Sequence, residues 1–476
     1  MTTSDIVRMD LHTLSQHIEE KKLSPVEVVQ ALLERIEQLN PTLNAVITVC
    51  DGEALEAAKQ AEEEISRGNY KGPLHGVPIG LKDLIFTRGV RTTMGSEIYK
   101  DFVPEIDATV VQKLKEAGAI IIGKLNTHEF AYGPTGDISY FGAVRNPYDT
   151  TRITGGSSSG SGASVAAGLA FGALGTDTGG SIRIPSSACG IVGMKPTFGR
   201  VSKHGVYPLA FTLDHVGPMT RTVYDNALLL NVLAGFDAQD DYSVQRDTED
   251  FTRLIGESIK GKVVGIPTNF YYDQLQPEVR SAVENSFEIF RDLGATIEHV
   301  EIQNLNQISL AQLKTIQSEA YAIHQHHVKD CPDKFHPQVL ERLEASFTAR
   351  GYEYVEAQQV RRQILNSFKE AFERVDVLLT PTLPILPTKI DEREVEIEGQ
   401  TAPVPASLLR LTGPTNTTGL PSLSLPCGYS SEGLPMGIQL IGPSFAEALL
   451  YQFGSAFERA VNFKGFLDKN LSVTPL

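Results

Sequence analysis

The chain of 476 residues is long enough to bury a large core, and 41% hydrophobic with 21% charged residues is an ordinary globular composition. A formal net charge of −16, from 42 basic and 58 acidic side chains with no dense Lys/Arg run, argues against direct nucleic-acid binding. Cys50, Cys189, Cys331 and Cys427 are scattered without a Cys-x-x-Cys pair, and neither a secretory leader nor a membrane-length apolar run is visible, so a reduced, cytoplasmic, membrane-free setting is expected.

Leu11 to Lys22 and Ser24 to Leu39 carry apolar residues at helical spacing, with Ser24-Pro25 reading as an N-cap followed by proline at the first helical position. A strand at Ala45 to Val49 and a helix at Glu53 to Arg67 follow, so residues 1–70 are expected to form a mainly helical outer layer. Gly72 to Val90 (GPLHGVPIGLKDLIFTRGV) is an apolar run punctuated by proline and glycine, interrupted by Lys82-Asp83. From these residues alone, a buried lysine paired with Asp83 is the favoured reading. Asp107 to Ala117 predicts a helix, Ala119 to Gly123 a strand, and Asn126 to Ala131 the start of another helix.

Thr151 to Pro196 then concentrates serine and glycine, with very few charges, in what should be buried structure. Gly155 to Gly162 has no side chain large enough to hide the main chain, so backbone N–H groups and the hydroxyls of Ser157, Ser158, Ser159 and Ser161 can approach a ligand. Ser164 to Ala170 reads as a small-residue helix and Phe171 to Asp177 as a strand, with a tight Gly179-Gly180 turn that puts Ser181 where the strand ends. Thr222 to Ala234 predicts a helix, and a strand–helix–strand run follows at Lys262 to Ile266, Pro277 to Leu293 and Thr296 to Ile302. Residues from about 306 to 374 read as a charged helical insertion or lid. Within it, His324 and His327 share a helical face and Asp330 lies three residues further on, but a solvated face is preferred over a metal site because Pro332 soon breaks the helix and no second ligand pair stands out. Strands at Val375 to Leu379, Ser422 to Cys427 and Met436 to Ile441 and a helix at Phe445 to Val461 complete the chain. This alternation argues for one large α/β domain over 1–476, with a central mixed sheet covered by helices on both faces.

The serine- and glycine-rich segment fits none of the common alternatives. A flexible linker is disfavoured by the apolar Ala163 to Leu174 that follows at once. A phosphate-cradling loop needs lysine where Ser161 stands. A nucleophile elbow at Gly156 to Gly160 needs an apolar strand before it, where Asn146 to Thr154 is polar and turn-like, and a late histidine, where the last is His336. The segment instead resembles the amidase signature family, whose Gly-Gly-Ser-Ser loop and Asp-x-Gly-Gly-Ser-Ile-Arg-x-Pro motif match Gly155 to Ser158 and Asp177 to Pro185. Ser159 stands where many relatives have glycine. The similarity continues through Gly72 to Asp83, Gly123 to Gly133, Leu213 to Arg221 and Gly419 to Gly442, and so covers nearly the whole chain.

Periodicity does not name a base for Ser181; the resemblance does. It implies a Ser–cis-Ser–Lys triad, with Ser181 as nucleophile, Ser157 as the bridging serine after a cis Gly156–Ser157 bond, and Lys82 as base. Burial among apolar neighbours would lower the lysine's pKa and keep part of it neutral, as a base must be. The backbone N–H groups of Thr178, Gly179, Gly180 and Ser181 would form the oxyanion hole, and Tyr132 and Thr135 would line the pocket. Asp177 and Arg183 would brace the turn, and Asp214-His215 would stabilise a loop. The implied protein is an amidase without cofactor or metal, acting on a small or aryl carboxamide and releasing a carboxylate and ammonia or an amine, with a homodimer as an open possibility. The alternative is the glutaminase (A) subunit of a tRNA-dependent amidotransferase. Val206-Tyr207-Pro208-Leu209 and Leu411 to Thr418 (LTGPTNTT) count against it, since both look like a general amidase. Carbamate or ester hydrolysis, and a non-enzymatic binding role, complete the alternatives.

Overall fold

The computed structural model describes residues 1–469, so the part of the single-domain expectation that covers 470–476 lies outside the described residues. An eleven-stranded mixed sheet organises the molecule. From one edge its strands are Val46–Val49, Ile120–Leu125, Pro78–Lys82, Gly172–Asp177, His215–Thr220, Val192–Lys195, Ser422–Tyr429, Pro435–Ile441, Val377–Pro381, Val263–Pro267 and Thr296–Val300. Pro78–Lys82 runs parallel to both Ile120–Leu125 and Gly172–Asp177, and every residue of these three strands is buried. Continuous burial explains why they read as apolar runs without alternation. Because the three strands are parallel, their carboxyl ends open on one side of the sheet, the usual place for a ligand site in an open α/β fold. Lys82 and Asp177 are the last residues of two of them.

Several expected elements form as read. Ser24 caps the helix Pro25–Leu43 by accepting the Val26 N–H at 3.0 Å, with Pro25 in its first turn. The charged segment expected to be helical is built of helices at Ile308–Asp330, Pro337–Ser346 and Gly351–Phe372. The small-residue helix begins earlier than its apolar residues suggest, at Ser159, and runs to Ala167 with all its residues buried. A Cβ on Gly160 would collide with the backbone of Ala45 and Asn126, so only glycine lets this helix pack that closely.

Two elements differ from expectation. Asn146 to Thr154, read as turn-like, contains a hairpin of Arg145–Asn146 with Asp149–Ile153. Asn126 to Ala131 does not start a helix; only Glu129–Ala131 forms a 3₁₀ turn, with Phe130 and Ala131 at positive φ. Tertiary partners take its backbone donors: the N–H groups of His128, Glu129 and Phe130 go to the carbonyls of Ser157, Ile138 and Met94.

The turn after Gly172–Asp177 is tied down by Arg183, which is fully buried. Its Nε and Nη2 reach the two carboxylate oxygens of Asp177 at 3.0 and 3.1 Å. Nη1 reaches Thr415 and Gln439, and Nη2 also reaches Asn416, so one guanidinium joins the turn to the helix Gly413–Thr418 and the strand Pro435–Ile441. Burial alone would raise the Asp177 carboxyl, but Arg183, Lys195 and Asn416 hold it well below the usual carboxylate range. Arg183→Met would leave that carboxylate buried without its partner, so it is expected to lose about 3–5 kcal/mol of unfolding free energy in a urea titration. A loss under about 1 kcal/mol would mean that the turn holds itself.

Candidate active site

Lys82 is fully buried, and its Nζ lies 2.7 Å from Ser157 Oγ and 2.7 Å from Thr176 Oγ1. Both neighbours are hydroxyls, and among the described residues no carboxylate is in direct contact with the amine. Burial lowers its pKa to about 7, against the distant opposing pull of Asp177 and Asp214. The pairing with Asp83 favoured from the residues does not form. Successive strand side chains point to opposite faces, and Asp83 meets Lys124 at 3.8 Å on its own side while its carboxylate also accepts from the hydroxyl and N–H of Thr93.

The Gly156–Ser157 bond is cis, as the resemblance implied. The Ser158 N–H donates to the Ser181 carbonyl at 3.3 Å, which joins the Ser157 loop to the turn carrying Ser181. Ser181, Thr178 and Gly179 line one cavity together with Tyr132, as expected of a pocket residue, and Leu209. Thr135 is buried in the loop that follows Tyr132, but it does not line this cavity.

Gly180 behaves differently from expectation. Its N–H donates to Asp177 Oδ1 at 2.7 Å and so is already committed, which leaves Thr178, Gly179 and Ser181 of the four expected oxyanion donors. Its φ of 139° needs glycine, and a Cβ there would strike Thr412 Oγ1. The same Thr412 hydroxyl donates to the Gly179 carbonyl at 2.6 Å and fixes which way that peptide faces.

Asp214 and His215 do not pair with each other. Asp214 accepts from the Thr178 hydroxyl at 2.6 Å and from the N–H groups of Leu209 and Ala210, which holds the loop beside the cavity. His215 contacts the Leu213 carbonyl through Nδ1 and Lys195 through Nε2, and burial together with Lys195 holds its pKa well below the usual range. The expected solvated face at His324 is also corrected: the residue is fully buried, its ring centroid 4.5 Å from that of Phe130. Phe130, Tyr207 and Phe335 surround it, and burial lowers its pKa to about 3.

Sequence reasoning missed Thr176 and Arg342. Thr176 lies one position beyond Gly175, which continues the Leu81–Leu174 register opposite Lys82, so strand pairing alone would not have put its hydroxyl on the amine. Arg342 lines the Ser181 cavity from the helix Pro337–Ser346, and no local pattern in the charged segment marks it.

The family model described as Amidase matches residues 27–451. The (A) subunit of the glutamyl-tRNA(Gln) amidotransferase of Geobacter sp. (strain M21) is 41% identical over 480 residues, covering 96% of this chain and 98% of its own. Such subunits, placed second to general amidases from the residues, therefore include a near relative in sequence. A bacterial aryl acylamidase of the amidase signature enzymes superposes with a TM-score of 0.90 at 31% identity, over 98% of this chain and 99% of that one. A structure described as a vestigial complex revealing the evolutionary origins of an s-triazine catabolic enzyme gives a TM-score of 0.91 at 32% identity, over 95% and 98%. By sequence, by fold and by the motif that carries Ser157 and Ser181, the chain belongs to the amidase signature family of hydrolases.

Proposed function

We propose that this chain hydrolyses a carboxamide through an acyl-enzyme on Ser181, with Ser157 relaying the proton and Lys82 acting as the base. The observation that carries this reading is the 2.7 Å contact between Lys82 Nζ and Ser157 Oγ, sealed from water. A serine hydroxyl is a weak nucleophile until its proton is removed. A neutral amine has one lone pair and two N–H bonds, so Lys82 can donate to Thr176 while its lone pair faces the Ser157 proton. Ser181 Oγ attacks the amide carbon and gives its proton to Ser157, which passes its own to Lys82. The oxyanion is met by the N–H groups of Thr178, Gly179 and Ser181. The relay then runs backwards, protonating the leaving nitrogen as the C–N bond breaks. Water entering by the same path releases the carboxylate.

The cavity beside Ser181 supports an apolar acyl chain as the substrate part it receives, since Leu209, Leu313, Ile316 and Leu409 line it. The second reading, a glutaminase subunit that passes ammonia to partner subunits bound to tRNA, is favoured by the name of the Geobacter relative. Against it, no carboxylate among the described residues lines the cavity to receive the α-ammonium of free glutamine.

Ser181→Ala is expected to abolish labelling by a serine-directed phosphonate, read as the missing mass shift on the peptide around position 181; a labelled variant would remove Ser181 from the mechanism. Lys82→Ala should lose about 10²- to 10⁴-fold in kcat while remaining folded. Because the base is the neutral amine, kcat/KM should fall about tenfold per pH unit below about 7 and level off above it. A profile flat from about pH 5 to 8 would exclude Lys82 as the base. Turnover of a straight-chain apolar amide should exceed that of glutamine. Faster glutamine turnover, with co-purifying partner subunits and transamidation of charged tRNA, would establish the second reading instead.

A further inference from the structure

The loop Leu209 to Asp214 leads from the wall of the Ser181 cavity to the strand His215–Thr220, and two helices of the charged segment hold it at Thr212. From the helix Ile308–Asp330, Glu319 accepts the Thr212 N–H at 2.9 Å and the Thr212 hydroxyl at 2.7 Å. From the helix Gly351–Phe372, Arg361 donates to the Thr212 carbonyl at 2.8 Å and to the Thr212 hydroxyl oxygen at 2.7 Å. A hydroxyl has one proton to give and lone pairs to accept with, and here a carboxylate and a guanidinium use it in both senses. Each polar atom of Thr212 is therefore bonded to an ionised side chain, the stronger kind of hydrogen bond. Both partners are anchored in turn. Glu319 is buried and accepts from the Tyr354 hydroxyl at 2.8 Å, and Arg361 also donates to the Thr417 carbonyl at 2.9 Å.

Two residues beyond Thr212, the same loop reaches the turn that carries Ser181. Asp214 Oδ2 closes the loop on itself by accepting from the N–H groups of Leu209 and Ala210, and Oδ1 accepts from the Thr178 hydroxyl at 2.6 Å. The helix Ile308–Asp330 meets both ends of this arrangement, since Leu313 and Ile316 line the cavity and Glu319 holds the loop. We propose that Glu319, Arg361 and Thr212 are positioning residues for the oxyanion hole: they fix the loop, the loop fixes Asp214, and Asp214 fixes Thr178, whose N–H meets the oxyanion. The proposal rests on the reading of Ser181 as nucleophile, which makes that N–H an oxyanion donor. A substrate lying against Leu313 and Ile316 is then kept in register with the donors, because one helix sets both.

The test measures kcat and KM in Thr212→Val, Thr212→Ser, Thr178→Val and the double variant Thr178→Val/Thr212→Val, with active enzyme counted by phosphonate titration. Thr178→Val keeps the backbone donor and loses only the hydroxyl tie to Asp214. In Thr212→Val, kcat should fall about 10- to 100-fold with KM within about twofold, as expected of a group that acts in the transition state, and Thr212→Ser should restore most of it. The double variant should be no slower than the slower single variant, because both cut one tie. Losses that multiply, a kcat within about twofold of wild type in Thr212→Val, or no rescue by Thr212→Ser would overturn the proposal. Should Thr212→Val not fold, Glu319→Gln replaces it in the same cycle with the same non-additivity expected. Amide hydrogen exchange separates the tie from the chemistry. Exchange about tenfold faster in the peptide spanning Thr178 to Ser181 of the variant upholds the tie even if Ser181 proves not to be the nucleophile. Unchanged exchange there overturns it even if Ser181→Ala abolishes turnover.

Discussion

Sealing the Lys82 amine from water beside two hydroxyls sets the terms for everything around it. Lys124 and Lys195 are buried just as completely, and their surroundings mark the difference. Lys124 faces Asp83, a backbone carbonyl and threonine hydroxyls, and its pKa is lowered only to about 8. Lys195 meets a carbonyl and a histidine, and burial together with Arg183 holds its pKa well below the usual range too. It differs from Lys82 in its partners, which include no hydroxyl among the described residues. At Lys82 the nearest groups can both accept and donate, and the two acids that favour its charge act from beyond contact. An amine placed so loses its hydration without gaining a counter-ion, the combination that holds it near neutrality.

Such a site demands order in the chain opposite it. The turn at Thr178 to Ser181 has its N–H and C=O groups aimed by Asp177, Thr412 and Arg183, all buried. Asp177 accepts from the N–H groups of Gly180 and Ile182 while Arg183 neutralises its charge, so one ion pair shapes the turn and pins it to the strand Pro435–Ile441. The segment Leu411 to Thr418, part of no motif around the two serines, thereby becomes part of the site's frame.

Relatedness and pocket shape speak to different parts of the chain. The matching family model spans 27–451 and carries the fold and the serine motif with it. Half of the cavity wall comes from the helices Ile308–Asp330, Pro337–Ser346 and Val404–Arg410, outside that motif. A fold hosts many substrates by changing the walls around a common centre. A 41% identical relative therefore constrains the chemistry more tightly than the choice of amide.

Taken alone, the sequence determined the α/β class, most helices and strands of the sheet, and the family, because buried parallel strands leave apolar runs and the Gly/Ser motif is long and specific. It also marked Lys82 as a lysine in an apolar setting. Only the tertiary structure decided which acid that lysine would not meet: strand alternation sends Asp83 to Lys124, while the Thr176 hydroxyl at the end of the neighbouring strand comes to Lys82. Gly180's committed N–H, the buried His324 and Arg342 on the cavity wall were equally invisible, since each depends on partners distant in sequence or on the choice of one hydrogen-bond acceptor. Local pattern reports what a residue prefers, whereas contact across the sheet reports what it can reach.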